Sequence, residues 1–544
     1  MQSNHRSGAR RLGWLLPATI ALATSACFFS DDSPRLTPTP PSVALDIFGT
    51  RGDVLTAVTT ISNCRDTPVY SWQDASGKAL GQGEQFVDTL PDQPITATAS
   101  CGKASDTQTV APRRVYATKA AFAVLNADGS VVYWGHPIWG GGASDKLAAT
   151  LVGLQAISAS ERSFAGLKRD GTVVTWGSIL AGGDSRKPTA PLSNVERILP
   201  GSLAFLALKK DGSTASWGNA RTLFDDEGTT FGVDSVLSDD IAKNLVNVQS
   251  WVSNESAFAA LKQDGSVLAW GDSDVISGFP APLEKVSQLI ANETDFAALK
   301  QDGTVAVWGA GFGGDLSDEP ETVAKLVGVK ALYNTGLAFA ALKQDGTVVT
   351  WGAGRAGDYG NNAKALADQL QGVDRLVGHH TAFAAIRKDG SVISWGDAGR
   401  GSLGFDAIAP KLVGVSTIAH TETAFAALKQ DGTVLTWGDP ERGGNSSAVA
   451  AQLRNVVAIY ANDYAFAALR RDGTVVSWGE PRNGGDSSAV QASLNGIRAI
   501  HATAYGGFLA IAKSGQYVSW GGAWAGGNSS AVASKLTSIP YLQR

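Results

Sequence analysis

The stretch Phe425-Ala426-Ala427-Leu428-Lys429-Gln430-Asp431-Gly432-Thr433-Val434-Leu435-Thr436-Trp437-Gly438 decides the fold. Asp431-Gly432 is a tight-hairpin signal, because Gly tolerates the positive φ that short turns require. The flanking runs, Phe425-Ala426-Ala427-Leu428 and Val434-Leu435-Thr436-Trp437, are apolar on both faces. A hairpin with one face in water would alternate apolar and polar residues. Strands apolar on both sides belong in sheets stacked face to face, so each unit is expected to bury both faces against neighbours.

The unit recurs, with near-copies at 258–271, 339–352 and 466–479. Trp-Gly endings fall at Trp134, Trp176, Trp217, Trp270, Trp308, Trp351, Trp395, Trp437, Trp478 and Trp520, which makes ten units typically 41 to 44 residues apart. Such a period signals a propeller or a solenoid. A further apolar run precedes the hairpin, as in Val456-Val457-Ala458-Ile459-Tyr460, so three strands per unit are expected. The segment Gly443-Gly444-Asn445-Ser446-Ser447, echoed after Gly484 and Gly526, reads as a loop into an outer strand or a short helix. Ten units exceed the usual four to eight or so blades of a propeller. Splitting them into two assemblies would leave apolar blade faces bare, so residues 113–544 are expected to form one continuous β assembly.

The Phe-Ala-Ala-Leu-Lys-x-Asp-Gly-Thr-Val-x-x-Trp-Gly unit resembles repeats of the regulator of chromosome condensation family. It also resembles the repeats of propeller-type β-lactamase inhibitory proteins. The resemblance implies a β-propeller, although those families usually build seven blades. It also implies a surface for a protein partner. The chromosome-condensation family's Gly-x-x-His-Thr is present only loosely, at Gly378-His379-His380-Thr381.

Residues 43–112 are different. Short alternating runs (Val43 to Ile47, Thr56 to Thr59, Val69 to Trp72, Ile95 to Ala99) are separated by Gly, Pro and Asp clusters, as in a small β-sandwich. The order Cys64, Trp72, Cys101 resembles an immunoglobulin-like domain, which implies a disulfide between the two cysteines. Before this domain, residues 1–26 read as an export signal: Arg6, Arg10 and Arg11, then the apolar run 12–23, then Thr24-Ser25-Ala26. Thr24-Ser25-Ala26-Cys27 resembles a bacterial lipobox, with Thr24 where Leu is usual, and that resemblance implies a lipid on Cys27. The chain has three cysteines, so lipidation of Cys27 leaves Cys64 and Cys101 to pair. The Pro-rich remainder of 27–42 is a spacer. The expected location is the bacterial cell envelope, with membrane attachment through the lipid; ordinary secretion is the alternative.

Composition narrows the function. Lys and Arg number 45 against 50 Asp and Glu, a net charge of −5, which does not suit nucleic acid. No internal run approaches about 18 consecutive apolar residues, so a transmembrane bundle is excluded. No metal-ligand spacing, phosphate loop or nucleophile motif is present; no cofactor, metal or catalytic residue is expected. The lone Asp of each Asp-Gly turn, such as Asp264 or Asp345, reads as turn chemistry and not as a calcium loop. Candidate partner contacts are Asp225, Asp226 and Glu227 in the acidic insertion 221–243, and Trp139, Tyr359 and Trp524 in loops after Trp-Gly. The expected function is a non-enzymatic, exported, lipid-anchored protein-binding scaffold with no GTPase partner. An inhibitor of a secreted or periplasmic enzyme, or a glycan-binding surface protein, is the alternative.

Overall fold

The structure, a computed structural model, describes residues 40–543 except 186–187, 225–229, 235–238, 255, 277, 312–315, 317–318, 353–367 and 539. The signal sequence, Cys27, Asp225, Asp226, Glu227 and Tyr359 lie outside the described residues.

Nine of the ten units form antiparallel sheets of three strands in sequential order, and the third adds a fourth. In the eighth unit these are Val415–His420, Ala424–Lys429 and Val434–Gly438. The hairpin register pairs Phe425 directly with Trp437, and their rings stack 5.1 Å apart. The same Phe–Trp pair recurs in all ten units with centroids 5.0 to 5.5 Å apart. The Asp-Gly turn behaves as its chemistry requires. Asp345 Oδ1 accepts the backbone N–H (2.9 Å) and the hydroxyl (2.6 Å) of Thr347, while Gly346 takes φ +85°.

Why both strand faces are apolar becomes clear between blades. Alternation along Ala-Phe-Ala-Ala-Leu sends two alanines and a leucine to one side and the Phe to the other. Ala424, Ala426 and Leu428 of the eighth blade receive Phe466 and Trp478 of the ninth. Small residues thus form the hollow into which the next blade's two rings fit, a large-into-small interlock that keeps the interior close-packed. The pattern repeats from blade to blade. It also joins the last blade to the first: Leu509 and Ile511 pack on Phe122 and Trp134. The Trp134 indole donates to the carbonyl of Gly526 (2.8 Å), as Trp478 does to Gly443 (3.0 Å) in mid-array. The ten blades therefore close into one ring.

The Gly-rich segments are 3-10 turns, such as Pro440–Arg442 and Ser447–Val449, and not outer strands. Gly443, at φ +96°, lies so close to Phe466 that a Cβ would sit 2.6 Å from its ring. Only glycine fits there, so this motif is an inter-blade joint. In the third blade the last strand, Thr214–Phe224, runs on and pairs with Thr230–Asp234, so part of the expected insertion loop is a fourth strand.

Residues 42–110 form two facing sheets, with strand order Ser42–Phe48, Val54–Ser62, Gln85–Val87 in one. The other runs Ala104–Val110, Ile95–Cys101, Val69–Asp74, Ala79–Gln82. Cys64 and Cys101 form a disulfide, while Trp72 is fully buried and stacks on Phe86 at 5.1 Å. The chain's last strand, Leu542–Gln543, joins this second sheet beside Thr109 and Val110. The core of the small domain (Leu45, Trp72, Ile95) continues without a break into the core between the last and first blades.

Candidate functional site

In each blade the turn between the first and second strands lies at the same end as the loop after Trp-Gly, because Gly438 pairs with Ala424 at the start of the second strand. The Asp-Gly hairpins lie at the opposite end. First-to-second-strand turns from nine blades line a single cavity of about 660 Å³, so the first strands surround the ring's axis and the cavity is the mouth of the central channel. From the hairpin end the small domain enters the channel. Gly49 donates its N–H to Arg498 O (2.9 Å) and the Thr50 hydroxyl donates to Ile500 O (2.7 Å), both on the last blade's first strand. Arg51, buried and paired with Asp88, ties the loops of this tip by donating to the carbonyls of Leu90, Gln93 and Ala111. One end of the channel is thus occupied by the chain itself, and the other is open.

The open mouth is organised by a register that runs through all ten units. Four residues before the core Phe, or five in the tenth unit where it is Thr503, stands a turn-former. Thr118 accepts the N–H of Ala121 and donates to Trp139 O; Asn462 accepts from Ala465 and donates to Asn483 O. Three residues before the Phe stands the turn's tip, which among the described residues is Lys119, Glu161, Ser202, Glu293, Gly336, His380, Glu422, Asp463 or Tyr505. Backbone bonds link these tips around the axis, including Lys119 N–H to Glu161 O, Glu293 to Gly336, and Tyr505 back to Lys119 O.

The charges at the tips are mostly paired. Lys119 Nζ lies 2.8 Å from Glu161, His380 Nδ1 lies 3.1 Å from Glu293, and Arg442 pairs with Glu422. Arg442 also covers the Tyr464 ring at 4.6 Å. The hydrogen bond to Glu293 holds the His380 imidazole above its ordinary pKa. Asp463 makes no ion pair among the described residues. Burial, and then the neighbouring Glu422, push its carboxyl up to about 6 against the pull of Lys119 and Arg442. His379, beside His380, is buried against Phe425 at 4.3 Å, and desolvation holds it well below its ordinary value. Among the described residues no group of three or more His, Cys, Asp or Glu could hold a metal ion.

Of the sequence candidates, Trp139 and Trp524 come together on this open end, both within about 6 Å of the Tyr505 ring. Sequence reasoning passed over the tip residues themselves. The core Phe stands twelve residues before the Trp in every unit, so the tips already form a column fifteen residues before each Trp-Gly; reading that column was the missing step.

No family model and no curated relative matches this chain. Among solved structures it is similar to Prp20p from Saccharomyces cerevisiae, which binds Gsp1p and histones: 14% identity, TM-score 0.31, covering 62% of this chain and 84% of that one. It is similar to the ectodomain of the receptor kinase CR4 from Physcomitrella patens at 15% identity and TM-score 0.29, over 51% and 69% of the two chains. The computationally designed protein Ika8 matches at 17% identity and TM-score 0.27, over 60% and 96%.

Proposed function

We propose that this chain is a non-enzymatic binding protein of the bacterial cell envelope, exported and held by a lipid on Cys27, that takes a protein partner on the open mouth of its ring. The observation that carries the reading is internal to the chain. The frame repeats almost residue for residue ten times, while the tip column takes Lys, Glu, Ser, Gly, His, Asp and Tyr. A constant scaffold with varied turn residues, half-buried around the mouth with Glu293 exposed, is what a recognition surface requires.

Tagged protein lacking the signal and Cys27 is expected to retain a discrete protein from the producing organism's envelope extract. Glu293→Lys with Glu422→Lys, both on the rim and outside the blade cores, is expected to release it. Equal retention by the charge-reversed variant would contradict the reading. Labelling with a radioactive fatty acid, lost in Cys27→Ala, tests the anchor.

A further inference from the structure

Where the ring closes, the open end carries a feature found at no other described blade junction. The turns after Trp-Gly elsewhere read Ile179-Leu180-Ala181, Pro440-Glu441-Arg442 and Pro481-Arg482-Asn483. Beside the seam they read Pro137-Ile138-Trp139 and Ala523-Trp524-Ala525. The Trp139 ring lies 5.3 Å from Tyr505, Tyr505 lies 6.0 Å from Trp524, and His136 bridges the two tryptophans at 5.0 and 6.1 Å. The Arg162 guanidinium covers one side of Trp139 at 5.0 Å.

These rings are not needed to fill the seam, whose core is already closed by Phe122 and Trp134. Trp524 is 49% exposed, and with the rings of Trp139, Tyr505 and His136 beside it the exposure forms part of one contiguous aromatic patch. Tyr505 and Arg162 also belong to the cavity wall, so the aromatic lip and the 660 Å³ cavity are continuous. That volume falls within the range of about 300–1,000 Å³ usual for small-ligand sites.

The cavity's chemistry selects among ligands. Its acids and bases are largely satisfied by each other, as in Lys119–Glu161 and His380–Glu293. An ionic ligand would have to break such pairs to gain its own. A ligand bearing many hydroxyls can donate to the carboxylates and accept from the lysine and the tyrosine without separating them. If it also has a flat C–H face, it covers aromatic rings. Sugars combine the two properties. We propose that the seam is a binding site for a neutral oligosaccharide, with pyranose faces on Trp524 and Trp139 and hydroxyls directed to Glu161, Lys119 and Tyr505. This goes beyond the protein-binding reading and does not rest on it.

The test is titration calorimetry of the full chain with maltotetraose, cellotetraose, chitotetraose and mannotetraose, with tryptophan fluorescence as a second readout. At least one is expected to bind. Trp139→Ala and Trp524→Ala are each expected to weaken it by about tenfold, the scale of losing one stacking contact, with unfolding temperature unchanged. Trp524→Phe should restore part of the loss. Silence from all four sugars at millimolar concentration overturns the proposal, as does binding that neither tryptophan affects. If no sugar binds and the tryptophan variants instead release the captured protein, the seam is a protein contact: the sugar site falls and the binding function stands. If a sugar binds while Glu293→Lys with Glu422→Lys leaves capture unchanged, the protein-binding reading falls and the sugar site stands.

Discussion

The junction between the eighth and ninth blades and the junction between the tenth and the first perform the same task with different means. In mid-array, Ala424 and Ala426 make a shallow hollow for Phe466 and Trp478, and nothing outside the two blades takes part. At the closure, Gly507, Leu509 and Ile511 replace the alanine face, and the core reaches into the small domain through Leu45, Trp72 and Ile95. The C-terminal strand adds a clasp there. Tyr541 is buried, donates its hydroxyl to Gly49 O and accepts the N–H of Ala111 at its own carbonyl (3.2 Å), and Thr537 donates to Asn126 (2.8 Å). The difference follows from topology. Mid-array blades are held together by short covalent links, whereas the last and first are joined only by non-covalent contacts.

The largest effect is expected in mid-array. Trp437→Ala empties a fully buried site between two blades and should cost about 3–5 kcal/mol, read by chemical denaturation. Replacing Cys64 and Cys101 with Ala should cost about 3–4 kcal/mol through the freed chain of the small domain. Hydrogen exchange should then rise there and at the seam, while the fourth to seventh blades stay protected. Ending the chain at residue 539 removes Tyr541 and Leu542 and should cost about 2–4 kcal/mol. In that variant the exchange should rise in the first and tenth blades only, which would separate clasp from array.

A further effect concerns pH. The Asp463 carboxyl is raised to about 6 in the fold from an ordinary 3.8, so between these values the native state holds more protons than the unfolded chain. Stability should therefore fall as pH rises from below about 4 to above about 6, by on the order of 3 kcal/mol, and Asp463→Asn should remove this slope. His501 acts in the opposite sense. Burial lowers it from 6.5 to about 3, so its contribution is present above pH 6.5 and is lost as pH falls toward 3.

Much of this was legible in the chain because repetition amplifies weak signals. The Phe–Trp pair recurs ten times and the Asp-Gly turn nine, with Ser514-Gly515 in the tenth unit, so any one unit teaches the rest. The Gly-Gly segment left outer strand and short helix both open. Its role depends on Phe466 of the following blade and the αL backbone of Gly443, neither of which is local. The clasp was illegible for the same reason: Leu542–Gln543 is two residues long and has no periodicity, and its partner strand lies at the far end of the chain. Trp139 and Trp524 were visible as rim aromatics, but only ring closure puts them side by side. Asp463 and Glu422 were hidden among ordinary turn acids until the axis gathered the tips.

Closure is the central claim, and the Trp134 indole reports on it. Its N–H donates to Gly526 across the seam as the Trp478 N–H donates to Gly443 in mid-array. Deuterium exchange of the indole N–H groups, followed by NMR on the intact protein, compares the two bonds in one sample. A closed ring predicts slow exchange at both, with Trp134 alone released when residues 540–544 are removed. Rapid exchange at Trp134 in the intact chain, beside a protected Trp478, would mean that the ten blades form an open arc.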